Sequence, residues 1–121
     1  MLDRDSDNIP PEHAKMKLLT KELRAQLPKL YSQENVKDPM VIAKFFNPMG
    51  AATWLITEFD GEDRFFGWAT LGDPDNAEWG YVSLSELESI RLPYGLTIER
   101  DIHWTPKPMS EAKKPYGRQP A

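Results

Sequence analysis

Thr53-Trp54-Leu55-Ile56-Thr57-Glu58-Phe59, then Asp60-Gly61-Glu62-Asp63, then Arg64-Phe65-Phe66-Gly67-Trp68-Ala69-Thr70-Leu71, is the stretch that decides the fold. Two runs rich in β-branched and aromatic residues flank an Asp-Gly connection, the usual signal of a hairpin turn. The pattern continues outward. Residues 40–46 form another β-rich run, closed by the turn composition Asn47-Pro48-Met49-Gly50. After Gly72-Asp73-Pro74-Asp75-Asn76 comes a fourth strand over residues 78–82. Short links between consecutive strands imply an antiparallel meander.

Helical spacing appears on either side. Thr20 is a good N-cap, and Leu23, Leu27 and Leu30 repeat at helical intervals until Pro28 interrupts them. Ser83-Leu84-Ser85-Glu86-Leu87-Glu88 offers two capping boxes, Ser83 with Glu86 or Ser85 with Glu88. Leu92-Pro93-Tyr94-Gly95 stops that helix, and residues 97–104 read as a last extended segment. The expected class is α+β: an antiparallel sheet of four to five strands packed with two short helices. Residues 1–15 read as a disordered extension, 16–105 as a single domain, and 106–121 as a flexible Pro-rich tail.

Composition excludes several classes. The chain has 121 residues and no Cys, which removes disulfides, thiolate metal sites and Cys nucleophiles together. No run approaches the about 18 apolar residues of a membrane span, and the polar N-terminus does not read as a secretory signal. A cytoplasmic protein without a membrane association is expected. The net charge of −4 disfavours a general nucleic-acid binder. That average hides an uneven distribution. Residues 58–88 carry nine acids and one cation, Arg64, whereas both ends are mildly basic.

The central acids are the first functional candidate. Glu58, Asp60, Glu62, Asp63, Asp73, Asp75 and Glu78 could form an electronegative surface for a basic protein partner. The ordinary alternative is a solvated face, since turns favour Asp and Gly. The 60–63 and 72–76 turns are consecutive in the meander and should lie at opposite ends of the sheet. Nine of the 13 aromatic residues lie between Phe45 and Tyr81. They read as the core of the sheet, and the acidity of the region argues against a platform for nucleobases.

Glu99-Arg100-Asp101-Ile102-His103 is the second candidate. In an extended strand Glu99, Asp101 and His103 would project from one face, an acceptable ligand set for zinc, manganese or iron. Glu58 and Asp60, two residues apart, could share a face and assist a metal-dependent reaction on phosphodiesters. The bland reading is a polar strand face paired with neighbouring cations. His13 lies in the expected extension. Walker-type loops, G-x-G-x-x-G and G-x-S-x-G are absent, and no cofactor is expected.

Three blocks carry a resemblance. They are Trp54 to Asp63 continued by Phe65-Phe66-Gly67, then Glu78-Trp79-Gly80-Tyr81-Val82-Ser83-Leu84-Ser85-Glu86-Leu87, then residues 95–104. Together, over about residues 16–111, they resemble the bacterial family catalogued as domain of unknown function 2958. The resemblance implies a setting on plasmids, integrative elements and phages, whose accessory proteins affect host defence, replication or transfer. It brings no activity and no catalytic residues. The leading expectation is a small non-enzymatic accessory protein that binds a protein partner through its acidic surface. The alternative is a metal-dependent enzyme.

Overall fold

The computed structural model describes residues 17–116. The expected extension over residues 1–15, with His13, lies outside the described residues, as do residues 117–121. The fold is α+β. Its main sheet contains β2 (Ala43–Phe46), β3 (Thr53–Phe59), β4 (Arg64–Thr70), β5 (Glu78–Ser83) and β6 (Glu99–Arg100). All neighbours are antiparallel and the order is β5-β4-β3-β2-β6. Residues 40–46 do not form one strand. β1 (Met40–Val41) splits off and pairs with β7 (Lys107–Pro108) in a separate two-stranded sheet.

Among the described residues, three short helices accompany the sheet. Helix α1 (Lys21–Gln26) starts where Thr20 Oγ1 accepts from the Leu23 N–H at 3.1 Å. It ends before Pro28, which cannot donate the next helical bond. Helix α2 (Leu84–Ser89) is capped by Ser83, whose Oγ accepts from the Glu86 N–H. Of the two possible boxes, the first therefore supplies the cap. Helix α3 is Met109–Ala112.

Each face of the sheet has its own core. One contains Ala43, Phe45, Ile56, Phe59 and Phe65, covered by Leu18, Leu19, Leu23, Leu87 and Ile98. The Phe45 and Phe65 rings meet edge-on at 5.3 Å and are fully buried. The opposite face packs Leu55 and Trp68 against Val41, Met109 and Ala112. The second core takes in residues 107–116 of the segment read as a tail, and residues 117–121 lie outside the described residues. Residues 107–116 form β7, α3 and a final 3-10 turn, and Met109 is 2% exposed. The prolines suggested a linker, but Met109 and Ala112 bring enough apolar surface to dock.

A bulge in β3 sets the geometry of the site. Ile56 pairs with Gly67, but Glu58 pairs with Phe66, so Thr57 is the inserted residue. Simple alternation would place Glu58 on the face of Trp54 and Ile56. The bulge turns it to the opposite face, beside Phe66. It also drives the Leu55 carbonyl beneath Gly67, where an added Cβ would lie 2.1 Å from that oxygen. Only glycine fits there.

Candidate functional site

Exposed aromatic side chains gather on the Glu58 face of the sheet. Phe66 projects from β4, and Trp79 and Tyr81 project from β5. The Phe66 ring stacks on Trp79 at 5.6 Å and meets Tyr81 at 5.1 Å. The loop after α1 brings Tyr31 to the same place, with its hydroxyl 3.3 Å from that of Tyr81. These rings, with Val36, Pro39 and the floor residue Thr57, line a groove of about 320 Å³. Tyr31 is 62% exposed, Tyr81 50% and Trp79 44%, values far from those of core aromatics. The expectation that the aromatics from Phe45 to Tyr81 fill the core therefore holds for Phe45, Phe59, Phe65 and Trp68 but not for Trp79 and Tyr81.

Glu58 builds the wall of the groove. It is 4% exposed. Its carboxylate accepts from the Tyr31 N–H at 2.8 Å and from the Gln33 N–H at 2.7 Å. The Gln33 side chain continues the scaffold, donating to the Met40 and Thr57 carbonyls and accepting from the Met40 N–H. Tyr31 is held at φ 71°, in the left-handed region that a non-glycine residue enters at a cost of about 1–3 kcal/mol. The Tyr31 hydroxyl holds the Tyr81 phenol above its ordinary value. Tyr81 is therefore a neutral phenol at neutral pH.

The other central acids are placed as follows. Asp60 Oδ1 accepts from the Glu62, Asp63 and Arg64 N–H groups and closes the β3–β4 turn around Gly61. Asp63 accepts from the Ser83 and Ser85 hydroxyls and the Ser85 N–H, tying that turn to α2. These bonds hold both carboxyls below the ordinary carboxylate value, led by the Arg64 N–H for Asp60 and the Ser83 hydroxyl for Asp63. Asp73 caps the 3-10 turn Pro74–Asn76 through the Asp75 N–H and the Asn76 amide. As expected of consecutive turns, Asp60, Glu62 and Asp63 sit at one end of β4, and Asp73, Asp75 and Glu78 at the other. β4 is seven residues long, so the two groups are about 20 Å apart. The acids therefore form two clusters at opposite ends of β4, not one patch, and the buried Glu58 belongs to neither.

The Glu99, Asp101 and His103 ligand set is not assembled. β6 ends at Arg100, and Asp101 begins a turn in which its Oδ1 accepts from the His103 N–H. Without a continuous strand, the alternation that would align the three side chains is lost. Glu58 and Asp60 do not join them, because Glu99 lies opposite Phe46, and through it Thr53, at the other end of β3. Among the described residues no group of three or more His, Asp or Glu side chains is arranged to hold a metal ion. Nor is any described helix long and apolar enough to cross a membrane.

The sequence does not single out Tyr31, which follows the Pro28 break in the helical pattern. The available signal was Trp79 and Tyr81 themselves. Two aromatics at i and i+2 need a covering segment, and none in the sequence was assigned to them.

Fold and site together define a small α+β domain with a pre-formed aromatic groove beside a sheet edge. The chain belongs to the family described as "Protein of unknown function (DUF2958)", whose model matches residues 18–114. No curated protein and no solved structure was found to match it.

Proposed function

We propose that the chain is a non-enzymatic, cytoplasmic accessory protein of a plasmid- or phage-type element, acting by binding a protein partner with a basic surface. One observation carries this reading: Tyr31, Phe66, Trp79 and Tyr81 form an ordered aromatic groove open to solvent. Such rings supply most of the energy in protein interfaces. They also attract cations held over their faces. Arg64 already lies over Tyr81 at 5.4 Å, an internal example of the same contact. The acid clusters at both ends of β4 favour the same kind of partner and repel a phosphate backbone.

The test uses two octapeptides, one alternating Thr and Arg and the other alternating Thr and Glu, titrated against the chain by NMR. The Arg peptide should shift the Trp79 indole resonance and saturate, and the Glu peptide should not. Trp79→Ala combined with Tyr81→Ala should weaken the Arg peptide about tenfold or more while leaving the circular dichroism spectrum unchanged. Equal behaviour of the two peptides, or no binding by either, would defeat the proposal.

A further inference from the structure

We infer that the partner contributes an extended basic segment, which joins the sheet as a sixth strand on the outer edge of β5 and sets cationic side chains on Trp79 and Tyr81. This inference rests on the binding reading above and specifies the shape of the partner.

The edge itself is the first argument. β5 ends the sheet order, and among the described residues no strand pairs with its outer side. The opposite edge, β6, is only two residues long, a usual protection against unwanted pairing. β5 has six residues, Glu78–Ser83, and contains no proline. Its register with β4 runs without a bulge over six consecutive pairs. A long, regular and exposed edge offers a row of backbone donors and acceptors to another chain.

The second argument is geometric. Trp79 and Tyr81 stand on the groove face of β5, and Glu78, Gly80 and Val82 stand on the other. A strand added beside β5 would place its alternate side chains about 5 Å from those rings, within the reach of cation–π contact. On the other face, an added Cβ at Gly80 would find no atom within 4 Å, so that face of the strand is open.

Charge selects the occupant. A second copy of the chain could also pair with β5. Either relative orientation would then bring acid clusters together, since Asp73, Asp75 and Glu78 lie near one end of the strand and Asp63, Glu86 and Glu88 near the other. Like charges facing across a strand pair oppose association, whereas a basic segment gains at both ends.

Backbone N-methylation separates strand addition from side-chain capture. The Thr-Arg octapeptide is compared with two forms, one methylated at every Arg amide and the other at every Thr amide. Alternate N–H groups of a strand point to opposite edges, so only one form loses its bonds to β5. That form should bind at least about tenfold more weakly than the parent peptide, the loss of two or more backbone hydrogen bonds, and the other should bind nearly as well. Equal affinities of the two methylated forms overturn strand addition while leaving the groove as a binding site. Failure of the unmodified peptide to bind defeats the underlying function and this inference with it. A dimer of the chain that the peptide displaces would assign the edge to a second copy and overturn the choice of occupant.

Discussion

Glu58 reaches across 27 residues of sequence to accept the Tyr31 N–H at 2.8 Å. This bond links the bulge in β3 to the strained residue on the groove rim. Glu58→Ala would leave the Tyr31 and Gln33 N–H groups without their acceptor. Each such loss costs about 1–3 kcal/mol when buried, so a destabilisation of about 2 kcal/mol or more is expected in urea titration. Glu58→Gln should fall between the two, because an amide retains one acceptor oxygen but presents an N–H₂ to a second donor. Both variants should also weaken the Thr-Arg peptide, since the loop carrying Tyr31 loses its anchor.

Gly67→Ala should be among the most damaging single-methyl additions to this chain. The added Cβ would lie 2.1 Å from the Leu55 carbonyl oxygen, which is backbone and cannot turn aside. Relief requires the bulge to move, and the bulge holds Glu58 beneath the groove. Overpacking of this kind costs about 3 kcal/mol or more. Gly80→Ala serves as the control, with no atom within 4 Å of its added Cβ. Thermal unfolding of the pair should show a large drop for the first and little change for the second.

Stability should fall at acid pH, with a direction set by Asp38, Asp60 and Asp63. Hydrogen bonds hold all three carboxyls below their ordinary value of 3.8, the leading donors being the Ser110 hydroxyl, the Arg64 N–H and the Ser83 hydroxyl respectively. A depressed folded value means that the unfolded chain takes up protons first. The stabilisation is therefore complete above about pH 5 and is lost as pH falls through 3.8 towards the folded values. Urea midpoints measured from neutral pH downward should be level and then decline. Asp63→Asn should be less stable at neutral pH and show a shallower decline.

Met109→Ala tests whether the C-terminal segment belongs to the folded unit. Met109 is 2% exposed among Val41, Leu55, Trp68 and Ala112. Its neighbour Ser110 donates twice to Asp38, and the Met109 N–H donates to the Pro39 carbonyl. A buried Met truncated to Ala costs about 2–5 kcal/mol. Asp38 and Pro39 close the loop that begins near Tyr31, so peptide affinity should fall along with stability. An unchanged unfolding midpoint would mean that residues 107–116 do not stabilise the domain.

The hairpin was legible because Asp60-Gly61 and the flanking alternation are local signals, and local signals survive in a single sequence. The same holds for the Thr20 and Ser83 caps. What was illegible depends on distant packing. Alternation shows that Trp79 and Tyr81 share a face, but it cannot show whether a later segment covers that face. The one-residue bulge at Thr57 reverses the side of Glu58, and nothing in Ile56-Thr57-Glu58 marks it except the glycine opposite, eleven residues on from Ile56. The turn at Asp101 similarly ended a strand that its composition favoured, and with it the alignment of Glu99 and His103. The docking of residues 107–116 depended on Met109 and Ala112 finding Leu55 and Trp68, a contact across half the chain.

Tyr31→Gly separates stability from binding most directly. Tyr31 sits at φ 71°, where its Cβ costs about 1–3 kcal/mol, and glycine removes that strain. Against this, glycine loses more backbone freedom on folding, about 0.5–1 kcal/mol. The ring is 62% exposed, so its removal sacrifices little buried area. The balance is stability that is unchanged or raised, measured by urea unfolding. The Thr-Arg peptide should nevertheless bind several-fold more weakly, because one ring of the groove is gone. If the variant instead unfolds more readily and binds the peptide as before, Tyr31 has a structural role and the groove does not need it.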